Sequence, residues 1–258
     1  MFDPVVLFLM SFCLEMMDNG LGGGFGTILS PLLIMFGYDP RVVVPSILVS
    51  EMVSGLWGGA WHFKFKNVDF KVIGLTLLGS LTGMVLATFL IGEFLPATAA
   101  KQFISLIALL MGVFVVLRSF NFKPKPEKPG LINKLKFVVL GMIAGFNKGG
   151  SGGGYGPLSV SGYMSLGLVA ATAIGTTTIA EGIACTLGVF LYSRFTGIVI
   201  AVALPITLGA FIADPVSAWM NNSLKLKLEP PFHGRVIGVA MTVLGVITLL
   251  KSLGYISV

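Results

Sequence analysis

The sequence predicts an all-α polytopic membrane protein made of two inverted repeats, each a re-entrant, glycine-tipped helical hairpin followed by three transmembrane helices. Three observations lead there: apolar runs of membrane-spanning length, a gapless internal repeat, and loop charges that change sides between the repeats. Of the 258 residues, 55% are hydrophobic and only 11% are charged, where soluble domains carry about 25% charged residues. Val72 to Gly92 is uncharged over 21 residues and Phe195 to Ala213 over 19. Each run can cross a hydrocarbon core of about 30 Å at about 1.5 Å per helical residue. Neither alternates, as a spanning strand would.

The repeat has an offset of 130 residues. Gly22-Gly23-Gly24-Phe25-Gly26 meets Gly152-Gly153-Gly154-Tyr155-Gly156, Gly37 meets Gly167, and Glu51 meets Glu181. Glycine matches are cheap in a chain with 34 glycines. The glutamate match is not, because carboxyls are rare inside membranes.

Helices are expected at 4–19, 27–36, 42–61, 72–92 and 99–118, then at 134–148, 157–166, 169–192, 196–219 and 234–251. The first two of each set are too short to span comfortably, so they form a hairpin whose glycines lie near mid-membrane. Three spans then follow in each repeat. The first repeat occupies 1–120 and the second 134–258. Between them, 121–133 is a basic, proline-rich linker expected to face the cytoplasm. Lys64, Lys66 and Lys71 lie in a loop of the same side; in the second repeat, the counterpart of the opposite loop carries Lys225, Lys227 and Arg235. By the preference of Lys and Arg for the cytoplasm, the second repeat sits upside down. No secretory leader is expected, because Met1-Phe2-Asp3-Pro4 lacks a basic region and a cleavage site. The net charge of +6 follows from these loops and does not call for nucleic acid.

The first glycine block, followed by Pro31, Gly37 and the segment from His62 to Val68-Asp69-Phe70, resembles the TauE/SafE sulfite exporter family. Asn147-Lys148-Gly149-Gly150-Ser151-Gly152-Gly153-Gly154 resembles that family's second repeat. The resemblance covers nearly the whole chain. It implies a multi-pass carrier in the cytoplasmic membrane that moves sulfite, sulfoacetate or other organosulfonates, in the manner of sulfonate permeases. The exact anion does not carry over.

Candidate site residues follow from chemistry. Gly22, Gly23, Gly24 and Gly26, with Gly152, Gly153, Gly154 and Gly156, leave backbone N–H groups open to a ligand. A half-helix begins at each block, and helix N-termini favour anions. Close packing of small residues is the plainer reading. Lys148, the counterpart of Asp18, either holds the anion's charge or forms an ion pair with Asp18, with Glu15 as a second partner. Glu51 and Glu181, at mid-helix, are candidates for proton coupling and are expected to rest uncharged; a structural hydrogen bond is the alternative. Ser46, Ser50 and Thr176 to Thr178 line a polar path or bond their own helices. Asp214-Pro215 is expected to kink its helix, His62 and His233 to lie at loops or headgroups, and Trp61 and Trp219 to anchor at the interface. Cys13 and Cys185, both in apolar stretches, are expected to be small buried residues.

No P-loop, metal-ligand spacing or dinucleotide fingerprint is present, so no cofactor and no enzyme activity are expected. The expected partners are a small anion and the bilayer. An anion channel is the competing reading, and an intramembrane enzyme using Glu51 and Glu181 a more distant one.

Overall fold

A computed structural model describes residues 2–121, 131–224 and 231–256. The linker at 122–130 and the segment holding Lys225 and Lys227 lie outside the described residues, as does the side chain of His233. The described chain is helical: α1 (Pro4–Leu21), α2 (Phe25–Met35), α3 (Pro40–Lys64), α4 (Phe70–Phe89), α5 (Ala97–Asn121), α6 (Leu131–Ser151), α7 (Tyr155–Ser165), α8 (Ala170–Phe195), α9 (Ile200–Leu224) and α10 (Pro231–Ser252). A π-helical turn at Leu90–Phe94 extends α4.

Local chemistry sets several starts. Asp3, Asp39 and Asp69 each accept from a backbone N–H in the first turn of α1, α3 and α4, and Pro4 and Pro40 follow the first two where no N–H is needed. Gly22 ends α1 in the left-handed region at φ 93°, as is usual for glycine after a helix.

Among the described residues, five helices are long and apolar enough to cross a membrane: Pro40–Lys64, Phe70–Phe94, Ala97–Arg118, Ala170–Phe195 and Ile200–Ser223. In α10 the apolar stretch Gly238–Ser252 is shorter. Large apolar side chains such as Leu78, Leu110, Phe190, Ile200 and Ile212 face outward, while Glu15, Glu51, Lys148, Glu181 and Asp214 are buried. An apolar exterior around a polar interior suits a hydrocarbon solvent.

The helices pair by position in the chain. α4 lies along α6 and α1 along α9; α3 meets α8, and α5 meets α10. Adding five to each number maps every one of these pairs onto another of them or onto itself. The bounds agree as well, since Phe25–Met35 and Tyr155–Ser165 differ by 130 at both ends.

Glycines set the direction of these contacts. Gly55 faces Gly182 and Gly59 faces Ile179, so α3 and α8 run antiparallel. Leu109, Gly112 and Val116 face Gly245, Thr242 and Gly238 in turn, so α5 and α10 do too. In contrast, Thr76, Ser80 and Met84 meet Gly141, Gly145 and Gly149, a parallel crossing through small residues at four-residue spacing. The central pair is the most enclosed: 67% of the α3 window and 61% of the α8 window are buried, against 28% for α5. Both glutamates of the repeat sit on this central pair.

Candidate functional site

Asp18 and Lys148 occupy equivalent places, one turn before the glycine blocks that end α1 and α6. Gly22 N donates to the Asp18 carbonyl at 2.8 Å, and Gly152 N to the Lys148 carbonyl at 2.8 Å. Gly22, Gly23 and Gly24 all have positive φ, as do Gly152 and Gly154. The two blocks then touch. A Cβ on Gly26 would fall on the Gly152 carbonyl, one on Gly153 on the Thr27 amide, and one on Gly156 beside the Gly23 Cα. Glycine is needed here because one backbone passes against the other.

Several backbone donors at the tips already have partners. Phe25 N donates to Asp18 Oδ1 at 3.1 Å, so the protein's own carboxylate caps the start of α2. Gly154 N donates to Thr27 Oγ1 at 2.7 Å, and Gly153 N to Ser151 Oγ at 3.2 Å.

Beside the tips, the Lys148 ammonium lies 2.5 Å from Glu51 Oε1 and 2.8 Å from Glu181 Oε1. All three side chains are buried. Carboxylate oxygens of Asp18, Glu51 and Glu181 lie within 4.8 Å of one another. The residues that sequence separated into an anion-holding lysine and two coupling glutamates therefore form one cluster. Lys148 makes its ion pairs with the glutamates, while Asp18 turns to the α2 N-terminus. The crossing at Gly55 and Gly182 brings this about. With no side chain between them there, α3 and α8 approach closely, and Glu51 one turn away and Glu181 adjacent are carried to the same lysine. An ammonium between two carboxylates offsets part of the cost of holding charge in this interior.

A second polar group escaped the sequence reading. Asn19 Nδ2 donates to Glu15 Oε1 at 2.9 Å and to Asp214 Oδ1 at 2.5 Å, and Thr178 Oγ1 donates to Asn19 Oδ1 at 2.8 Å. His62, expected at a loop or headgroup, is fully buried instead. The reason is that α3 continues to Lys64 and turns the ring inward, against Gly175 of α8 and the Asn19 backbone near the end of α1. α9 runs unbroken through Pro215, and Asp214 has a bonding role beyond the kink expected of it. The usable signal was in the repeat: at the equivalent positions Glu15 meets Gly145, Asn19 meets Gly149 and Asp214 meets Met84.

The hydroxyls divide. Ser46 bonds its own helix at the Val42 carbonyl, whereas Thr176 accepts from Asp69 N and ties the loop after α3 to α8. Trp219 is exposed on α9; Cys185 is buried as expected, whereas Cys13, expected buried, lies on the outward face of α1 and is exposed.

The sequence matches the family model described as Sulfite exporter TauE/SafE over residues 7–254. It is 31% identical over 244 residues to the Bacillus subtilis (strain 168) protein named probable membrane transporter protein YtnM, covering 92% of this chain and 79% of that one. It is 29% identical over 174 residues to the same organism's probable membrane transporter protein YjnA, covering 63% and 67%. No solved structure matches. A polar interior inside an apolar helical shell, together with a family match spanning almost the whole chain, identifies the protein as a multi-pass membrane transporter of the TauE/SafE sulfite exporter family.

Proposed function

We propose that the chain is a proton-coupled secondary transporter of small sulfur-containing anions, sulfite or organosulfonates, in the cytoplasmic membrane. The observation that carries this reading is the buried Lys148 held between Glu51 and Glu181, beside the meeting glycine tips. The carboxylates of Asp18, Glu51 and Glu181 outnumber the ammonium, so the cluster repels an anion while all are ionised. Protons taken up by the glutamates release Lys148, and a substrate anion then replaces them. The same logic applies at the start of α2, where Asp18 stands where a sulfonate oxygen would be held. Substrate binding and proton binding thereby support each other, as coupling requires.

The reading includes an inverted repeat with re-entrant glycine hairpins, 1–120 against 134–258. The antiparallel pairing of α3 with α8 and of α5 with α10 supports it. A two-fold axis along the helices would pair equivalent helices parallel, so antiparallel pairs suit an axis in the membrane plane.

Uptake into proteoliposomes tests the function, with a sulfonate as substrate because its charge is constant across the pH range. Wild type should accumulate it under an imposed proton gradient. Glu51→Gln and Glu181→Gln should abolish gradient-driven accumulation and flatten the pH dependence of binding. Accumulation at the wild-type rate in both variants would sink the coupling role. Flux without trans-stimulation would mark a channel instead.

A further inference from the structure

The interface between α1 and α9 holds a buried acidic pair that packing does not require. The same molecule contains the comparison, because α6 and α4 form the equivalent interface. There Gly145, Gly149 and Met84 occupy the places of Glu15, Asn19 and Asp214, while Leu48 and Tyr192 match Thr178 and His62. In that half the contact is glycine against backbone, and Tyr192 Oη donates to the Gly149 carbonyl at 2.8 Å. Small and apolar residues therefore suffice to join these helices. In the first half the same places hold two carboxylic acids, a carboxamide, a hydroxyl and an imidazole, all deeply buried.

The bonding of the pair is specific. The two hydrogens of the Asn19 amide go one to each carboxyl, and its oxygen accepts from Thr178. Glu15 Oε2 and Asp214 Oδ2 find no donor among the described residues, and the two carboxyls stand in hydrogen-bond contact with each other; Asn221 Oδ1 is likewise without a donor, and its side chain reaches the Asn19 carbonyl at 3.5 Å and is 1% exposed. The His62 ring lies at the Asn19 backbone, beside the same amide. Two buried carboxyls brought to one amide cannot both carry charge without a cation between them. Two carboxyls are a sparse ligand set for a metal ion, which takes about six or more oxygens, whereas one proton neutralises the pair, and the amide hydrogens hold the two acids together.

We propose that Glu15 and Asp214, clamped by Asn19, form a second proton-binding site, distinct from Glu51 and Glu181. Among the described residues, the ionisable groups facing the pair are Asp18 on α1 itself and Glu51 on α3; His62 on α3 lies at the Asn19 backbone, and α8 presents Thr178 and, farther in, Glu181. Glu51 stands on the Lys148 side and His62 near the end of α3. The pair lies beside Gly58, between Glu51 and His62 along α3, and so between the ion-paired cluster and the loop after α3; a proton held there would pass to Glu51 next. This deepens the proton-coupled reading above and rests on it only for that last step.

Infrared difference spectroscopy on the full chain in lipid nanodiscs, acid minus neutral, tests the site without any substrate. Wild type should show the carbonyl stretch of a protonated carboxyl that survives in the Glu51→Gln, Glu181→Gln double variant. That component should be lost in Asp214→Asn and in Glu15→Gln, each near-isosteric with the acid replaced. Asp214→Met copies the equivalent Met84, and should also lose it if the asparagine variant does not fold. Persistence of the component in these Asp214 and Glu15 variants would overturn the proposal, as would its absence from the double glutamate variant. Its removal by sodium at constant pH would overturn it too, in favour of a metal-cation site. A chain that keeps the component but accumulates no sulfonate would defeat the transport reading and leave this site standing.

Discussion

Lys148 has no solvent contact, so its charge depends wholly on Glu51 and Glu181. Removing one member of a buried ion pair costs roughly 3–5 kcal/mol, because the other charge is left uncompensated. Lys148→Met should therefore lower thermal stability strongly at neutral pH. The loss should shrink in acid, where protons neutralise the abandoned glutamates. Melting temperatures of the variant and wild type across pH check this; a loss that is equal at both ends would mean that packing, not charge, is what the lysine supplies. Sulfonate binding should be absent in the variant at every pH. At this scale the sequence singled out Lys148, Glu51, Glu181 and Asp18 by type and repeat position. The partner it offered for Lys148 was Asp18, with Glu15 second, and the glutamates took that place, since residues more than thirty apart have no fixed distance until the helices pack.

At the scale of elements, the glycine tips carry packing as well as any binding role. A Cβ at Gly26 would meet the carbonyl of Gly152, a backbone atom that cannot move aside alone. Gly26→Ala should then destabilise the fold by about 1–3 kcal/mol, the usual range for overpacking. Thermal unfolding without ligand measures it, and an unchanged melting temperature would disprove the close approach. A transport loss in this variant says nothing about anion contact by itself, so Lys148→Met is the sharper probe of binding. Gly145→Leu extends the argument to the α4–α6 crossing, where its side chain would enter the Ser80 backbone. That variant should fail to reach the membrane as folded protein, as judged by fluorescence-detected gel filtration. Helix existence was legible from hydrophobic runs. The depth of contact was not, because a glycine reads alike in a tight crossing and in a loop.

For the whole molecule, the inverted arrangement predicts that the connections after α3, α5 and α9, which fall within 62–71, 119–133 and 221–233, share the cytoplasmic side, with both termini outside. Cysteine placed at Glu127 in a cysteine-free background, made by replacing Cys13 and Cys185, should resist an impermeant thiol reagent in intact cells and react after lysis. Labelling from outside would contradict the orientation. What the sequence determined by itself was the solvent, the repeat and the family: these rest on hydropathy, a constant offset and local motifs, all of which are properties of the chain order. Only the tertiary structure decided that the paired glutamates share one lysine, that Asp18 caps α2, and that His62 and Asp214 face the end of α1. Those outcomes depend on which helix faces lie together. Helix association in a bilayer is set by shape and small-residue contact rather than by hydrophobicity, so composition cannot foretell it; the crossings at Gly55 with Gly182 and of α1 with α9 fix it here.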